Sequence, residues 1–160
     1  MNRNATLQIV VGALVVTFVL SIGPSAQAAS GKCSLSKLAG TYGLTTTGSI
    51  LGIGPVAAVG LITFDASGNI SGSQTRSLNG EVADETFTGT ATVNSDCTGT
   101  DTFSVFESGV LVRTSTVKIV YDDNGRSARA IFTSIVLPDG TILQSILTAD
   151  ARRLFVHDGD

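Results

Sequence analysis

The sequence predicts an all-β protein, an eight-stranded antiparallel up-and-down barrel, and three observations carry the prediction. From Gly40 onward, short β-prone runs alternate with turn chemistry. After residue 40 no apolar pattern of helical period lasts three turns. Eighteen glycines, three prolines and abundant Thr and Ser suit strands joined by many turns. A meander of eight strands must bury one face and deal with two edges, and closure into a barrel does both. A two-sheet β-sandwich is the alternative arrangement of the same strands.

Residues 1–28 read as a secretory signal rather than as part of the domain. Arg3 and the amino terminus supply the positive start, and "IVVGALVVTFVLSIG" (9–23) supplies the apolar stretch. "AQA" (26–28) fits a small-x-small cleavage pattern. The apolar run of about 15 residues falls short of the roughly 20 that a spanning helix needs. Cleavage after Ala28 leaves a single domain over 29–160, secreted or periplasmic; an uncleaved anchor would still place that domain outside the cytoplasm. Cys33 and Cys97 are the two cysteines, and in an oxidising compartment one even pair predicts one disulfide. Lys32 precedes Cys33 where a lipoprotein signal places a small residue.

"SLSKLAG" (34–40) can form one turn of helix before the first strand. The strands then read Thr41–Thr47, Val56–Phe64, Asn69–Leu78, Glu81–Val93, Thr100–Glu107, Val110–Tyr121, Arg126–Val136 and Thr141–Leu154. Between them stand "DASGN", "NG", "NSDCTG", "SG", "DDNG" and "PDG", all hairpin-turn chemistry. Asn79-Gly80 is the sharpest of these signals and sets Gln74 opposite Glu85.

Residues opposite one another share a face, so each turn carries the assignment to the next strand. One face collects Ile62, Phe64, Gln74, Arg76, Leu78, Glu85 and Phe87. With a four-residue loop at 95–98 it continues through Thr102, Ser104, Phe106, Leu111, Arg113, Ser115, Val117, Ile119 and Tyr121, then Ala128, Ala130, Phe132, Ser134, Leu143, Ser145 and Leu147. This mixture of bulky and small residues suits a barrel interior. One residue of slip at the 94–99 loop would turn Phe103 and Val105 inward. The opposite face is Ser/Thr-rich over 71–92, unlike the lipid face of an outer-membrane barrel. Later it reads Phe103, Val105, Val110, Val112, Ile131, Ile135, Ile142 and Ile146, which predicts a homo-oligomer through strands five to eight.

Several function classes lose support. A net charge of −3 and 14% charged residues provide no basic stripe for nucleic acid. No Lys/Arg-rich amphipathic segment addresses a membrane surface. A lone histidine, His157, in a polar tail and no CxxC pair argue against a metal centre or a triad. "GIGPVA" (52–57) lacks the strand-to-helix context of a dinucleotide fingerprint, and "DDNG" (122–125) lacks the ligand alternation of a calcium loop. No serine sits in a GxSxG elbow, and nothing implies a cofactor.

What remains is the polar inner set: Gln74, Arg76, Glu85, Arg113 and Tyr121, with Phe87 beside them. Buried charges need partners, so these groups form either a satisfied internal network or a ligand pocket. In a pocket, Glu85 with Arg76 or Arg113 would orient a small, partly apolar ligand. In an isomerase- or cyclase-type enzyme, enclosure would tune Glu85 toward acid/base work. A structural extracellular module with a packed interior is the third reading.

"LAGTYGL" (38–44), "VGLITFDASGNISG" (59–72), "LNG" (78–80) and "TGTATVNSDCTGT" (88–100) resemble a group of small secreted proteins of environmental bacteria. Members share a cysteine before the first strand and another in an Asp-Cys-Thr-Gly turn, as at Cys33 and Cys97. The resemblance covers most of the chain after the signal and implies no catalytic residues. More distantly, the meander looks like lipocalin-like and allene oxide cyclase-like barrels, which bind or cyclise apolar small molecules. That likeness is architectural, and architecture does not imply function.

Overall fold

The computed structural model describes residues 33–154. The signal segment and His157 lie outside them. A four-residue helix, α1 (Leu35–Leu38), precedes eight strands: β1 (Gly40–Ile50), β2 (Gly54–Phe64), β3 (Asn69–Leu78), β4 (Glu81–Val93), β5 (Thr98–Glu107), β6 (Val110–Asp122), β7 (Ser127–Val136) and β8 (Ser145–Arg153). Each strand pairs antiparallel with the next, and β8 pairs with β1, so the sheet is a closed barrel rather than a sandwich. The β3–β4 hairpin turns at Asn79 (φ 50°) and Gly80 (φ 91°), both in the left-handed region that this tight turn requires.

One end of the barrel is closed. Leu38 of α1 packs there with Ile119, Tyr121 and Ala128. Tyr42 is fully buried, and its Oη lies 2.9 Å from the Leu38 carbonyl and 2.7 Å from that of Gly125, one proton shared between two acceptors. Arg153 stands 5.7 Å over the Tyr42 ring and donates to the carbonyls of Lys37 and Ala39. Phe64 meets both tyrosines edge-on, at 5.6 Å from Tyr42 and 6.3 Å from Tyr121. The Cys33–Cys97 disulfide ties the start of this cap to the β4–β5 turn. It spans 64 residues, a loop whose chain-entropy contribution is about 4 kcal/mol. Replacing both cysteines with serine is therefore expected to lower stability in urea by roughly 2–4 kcal/mol. A double variant as stable as the parent would remove the staple from this account.

The interior is tight where glycine faces a ring. A Cβ on Gly72 would meet the Phe87 ring at 2.3 Å, so Phe87 fills the space that a side chain at 72 would take. From β2 to β4 the faces are as the alternation predicts: Ala58, Ile62, Phe64, Ile70, Glu85, Phe87 and Ala91 are buried.

Two corrections follow on β5 and β7. Pairing across the β4–β5 turn resumes with Val93 opposite Gly99, not Asn94, and Cys97 takes a left-handed conformation (φ 68°) to make the turn. That one-residue difference turns β5 over. Asp101 and Val105 are buried, Phe103 packs against the core, and Thr102, Ser104 and Phe106 leave the interior face. A β-bulge then restores the register: Val105 faces Arg113 but Phe106 faces Leu111, with Val112 as the extra residue. The predicted β6 set Arg113, Ser115, Val117, Ile119 and Tyr121 is thus inside after all, while Leu111 is exposed. A second irregularity at Thr116/Val117 places Ile135 inside opposite Ser115 and takes Ser134 off the interior face.

The predicted apolar strip on strands five to eight shrinks in consequence. Phe103, Val105, Val112 and Ile135 belong to the interior, leaving Val110, Ile131, Ile142 and Ile146 exposed. Other exposed apolar side chains include Val59 and Leu61 on β2, Val82 on β4 and Val120 on β6. Among the described residues no helix is long and apolar enough to cross a membrane.

Candidate functional site

The barrel encloses a cavity of about 230 Å³. It runs from Asp101, Ile119 and Ala128 near the capped end to Leu78, Glu107, Leu137 and Leu143 at the opposite rim. Its walls are chiefly apolar, with Phe87, Phe103 and Phe132 as the large rings and Ala58, Ala130, Ala149 and Ala151 as the small residues that leave the space. The rings touch in series: Phe87–Phe103 at 5.6 Å and Phe103–Phe132 at 6.2 Å. A cavity of about 150 Å³ admits benzene, so this one has room for a larger body.

Toward the rim, β3 to β6 bring four charges together. Gln74 and Glu85 face each other across β3–β4, and Glu85 faces Glu107 across β4–β5. Glu85 is 1% exposed. Its Oε1 accepts from Arg76 Nε and Arg113 Nη1, both at 2.6 Å. Its Oε2 accepts from Arg113 Nη2 at 2.6 Å and Gln74 Nε2 at 2.7 Å. Arg113 is thus bidentate, the strongest geometry for this pair. Arg76 Nη2 also reaches Glu107 Oε1 at 2.8 Å, while its buried Nη1 has no partner among the described residues.

Burial alone would push the Glu85 pKa up. The hydrogen bonds and charge of Arg113, then those of Arg76 and Gln74, outweigh it and hold the group at about 2. The expected acid/base tuning of Glu85 is therefore corrected: both oxygens are saturated and the carboxylate is a poor base at neutral pH. Its geometry suits holding two guanidiniums in place.

The other sequence-derived candidates fall elsewhere. Phe87 forms cavity wall. Tyr121 belongs to the capped end, where its Oη is buried without a hydrogen-bond partner among the described residues. Burial, with the charge of Asp101 second, raises its pKa.

Asp101, like Glu107, is a residue that the sequence reasoning missed. It is 2% exposed, lines the cavity, and its Oδ1 has no hydrogen-bond partner among the described residues. Burial pushes its pKa up to about 7. The signal was present in "DTFSVF" (101–106): Phe103 and Val105 alternate with Thr102 and Ser104, and Asp101 shares their face.

No family model matches the chain, and no curated protein matches it. Solved structures do resemble it. A redesigned beta barrel, mFAP1, determined bound to DFHBI, superposes with a TM-score of 0.51 at 19% identity, over 75% of this chain and 98% of that one. The S-type phycobiliprotein lyase CPES from Guillardia theta gives 0.47 at 11% identity, over 78% and 95% of the two chains. The first of these likenesses establishes the fold: this chain is an eight-stranded antiparallel up-and-down β-barrel.

Proposed function

We propose that this barrel binds a small, largely apolar ligand and carries it outside the cytoplasm. The observation that supports the reading is the interior cavity of about 230 Å³, walled by aromatic and aliphatic side chains around a few polar groups. A purely structural module would fill that space, since a void forfeits packing contacts. The ion network of Glu85, Arg76, Arg113 and Gln74 shapes the polar side of the mouth. It ties β3, β4 and β6 together there. The Cys33–Cys97 disulfide supports an oxidising compartment.

The mFAP1 barrel was solved with a small molecule bound, and a cavity is the feature that this proposal builds on here. The hydrophobic probe N-phenyl-1-naphthylamine is expected to fluoresce on binding the purified protein. Ala149→Phe, which places a ring where β8 now presents a methyl to the cavity, is expected to weaken that binding at least about tenfold while the fold persists by circular dichroism. No binding to the parent, or equal binding to the filled variant, would sink the reading. Native mass spectrometry of protein from its own source would then identify the retained molecule.

A further inference from the structure

Two charged residues in the cavity wall carry buried polar atoms that the chain leaves unpartnered: Asp101 Oδ1 and Arg76 Nη1. Their situations differ. Arg76 already holds two carboxylates, Glu85 and Glu107, so its charge is compensated. Among the described residues Asp101 has no counter-ion. The β4 residue opposite it is Ala91 and the β6 residue opposite it is Val117. Tyr121 is the titratable group that its charge reaches.

Charge arithmetic in the interior gives the sign of the missing partner. Arg76 and Arg113 balance Glu85 and Glu107, which leaves Asp101 as the uncompensated group. Arg153 is committed to the carbonyls of Lys37 and Ala39 at the cap and is not in the cavity wall. An anionic ligand would meet a neutral cluster and an acid. A cationic one would meet a carboxyl with nothing else to hold, in surroundings where an unpaired charge is costly and a paired one strong.

We propose that the cavity takes an apolar amine, with its ammonium on Asp101 and its hydrocarbon body along Phe103, Val117 and Phe132. The assignment rests on the ligand-carrier reading above and adds the class of ligand. With its pKa near 7, the empty site is mostly neutral in mild acid. Capture of an ammonium requires the carboxylate, so binding in mild acid releases one proton from Asp101 to solvent, and affinity rises with pH.

The test uses the full disulfide-bonded protein and three probes of one shape: naphthalen-2-ylmethylamine, naphthalen-2-ylmethanol and 2-methylnaphthalene, titrated by calorimetry. Near pH 8 the amine is expected to bind at least about tenfold tighter than the alcohol. Between about pH 5.5 and pH 8 its affinity is expected to rise roughly thirtyfold, as the ionised fraction of a group with pKa near 7 dictates, while that of the alcohol does not rise. In Asp101→Asn the amine is expected to fall to the level of the alcohol. If the amine binds no better than alcohol and hydrocarbon, or if its advantage survives in the variant, the amine assignment is overturned and the carrier reading stands. If none of the three binds, both fall. The pH dependence is read on the unmutated protein, so the proposal remains testable whatever the variant does to folding.

Discussion

Glu85→Gln is expected to cost the barrel about 3–5 kcal/mol, the range for removing one member of a buried ion network. The neutral amide cannot accept from two guanidiniums on both of its ends, and it turns an N–H₂ toward donors. Arg76 and Arg113, with side chains 12% and 16% exposed, are then left charged in a largely dry wall. The pH dependence has a definite sign. The folded-state pKa of Glu85, about 2, lies below its ordinary 4.5, so the unfolded chain binds the proton more readily. The stabilisation is complete above the unfolded value and is lost as pH falls toward and through about 2. The shift corresponds to roughly 3 kcal/mol at neutral pH. Urea unfolding near pH 7 should show the full loss in the variant, and the gap between variant and parent should narrow in acid. A loss under about 1 kcal/mol would mean that the arginines relax into solvent and that the network stabilises little.

Asp101→Asn is expected to act in the opposite direction. Here the folded-state pKa, about 7, lies above the ordinary 3.8, because burial penalises the charge and no cation offsets it. Below both values the carboxyl is protonated in both states and contributes nothing to pH dependence. Between about pH 4 and pH 7 the unfolded chain ionises first and stability falls; above about 7 the penalty is constant. Its full size is roughly 4 kcal/mol, so the amide should stabilise the empty barrel by up to that amount near pH 8 and leave it nearly unchanged near pH 4. Thermal or urea unfolding at the two pH values measures the difference. A variant less stable than the parent near pH 8 would show that the Asp101 carboxylate has an ionic partner within the fold.

The two acids are therefore opposed. Glu85 is ionised and fully held, which suits a positioning role at the mouth. Asp101 is buried and unheld, which destabilises the empty protein; a bound cation would recover that loss. Natural proteins keep such groups where function, rather than stability, selects them.

Much of the fold and half of the site were legible in the residues themselves. The eight β-prone runs and their turns predicted the strand count and the meander. Closure followed from the need to remove two edges. Asn79-Gly80 set Gln74 opposite Glu85, because a two-residue turn leaves no freedom in register, and period-two alternation put both with Arg76 on the apolar side. Opposite charges on adjoining inner positions then implied a pair, and Glu85 with Arg76 and Arg113 forms one.

Tertiary structure alone decided the rest. A five-residue turn and a four-residue turn are both compatible with "NSDCTG", yet they differ by one residue and exchange the two faces of β5. The β-bulge beside Val105 then undid that exchange for β6, so the placement of Arg113 and Tyr121 came out as expected for a reason invisible in the strand pattern. A bulge inserts a residue wherever barrel curvature requires it, and no local preference announces it. Glu107 joined the network, and Asp101 entered the cavity, through that same turn and closure. Local alternation determines which residues travel together on a face. Which face looks inward, and how much space is left between the walls, is settled only when all eight strands close on one another.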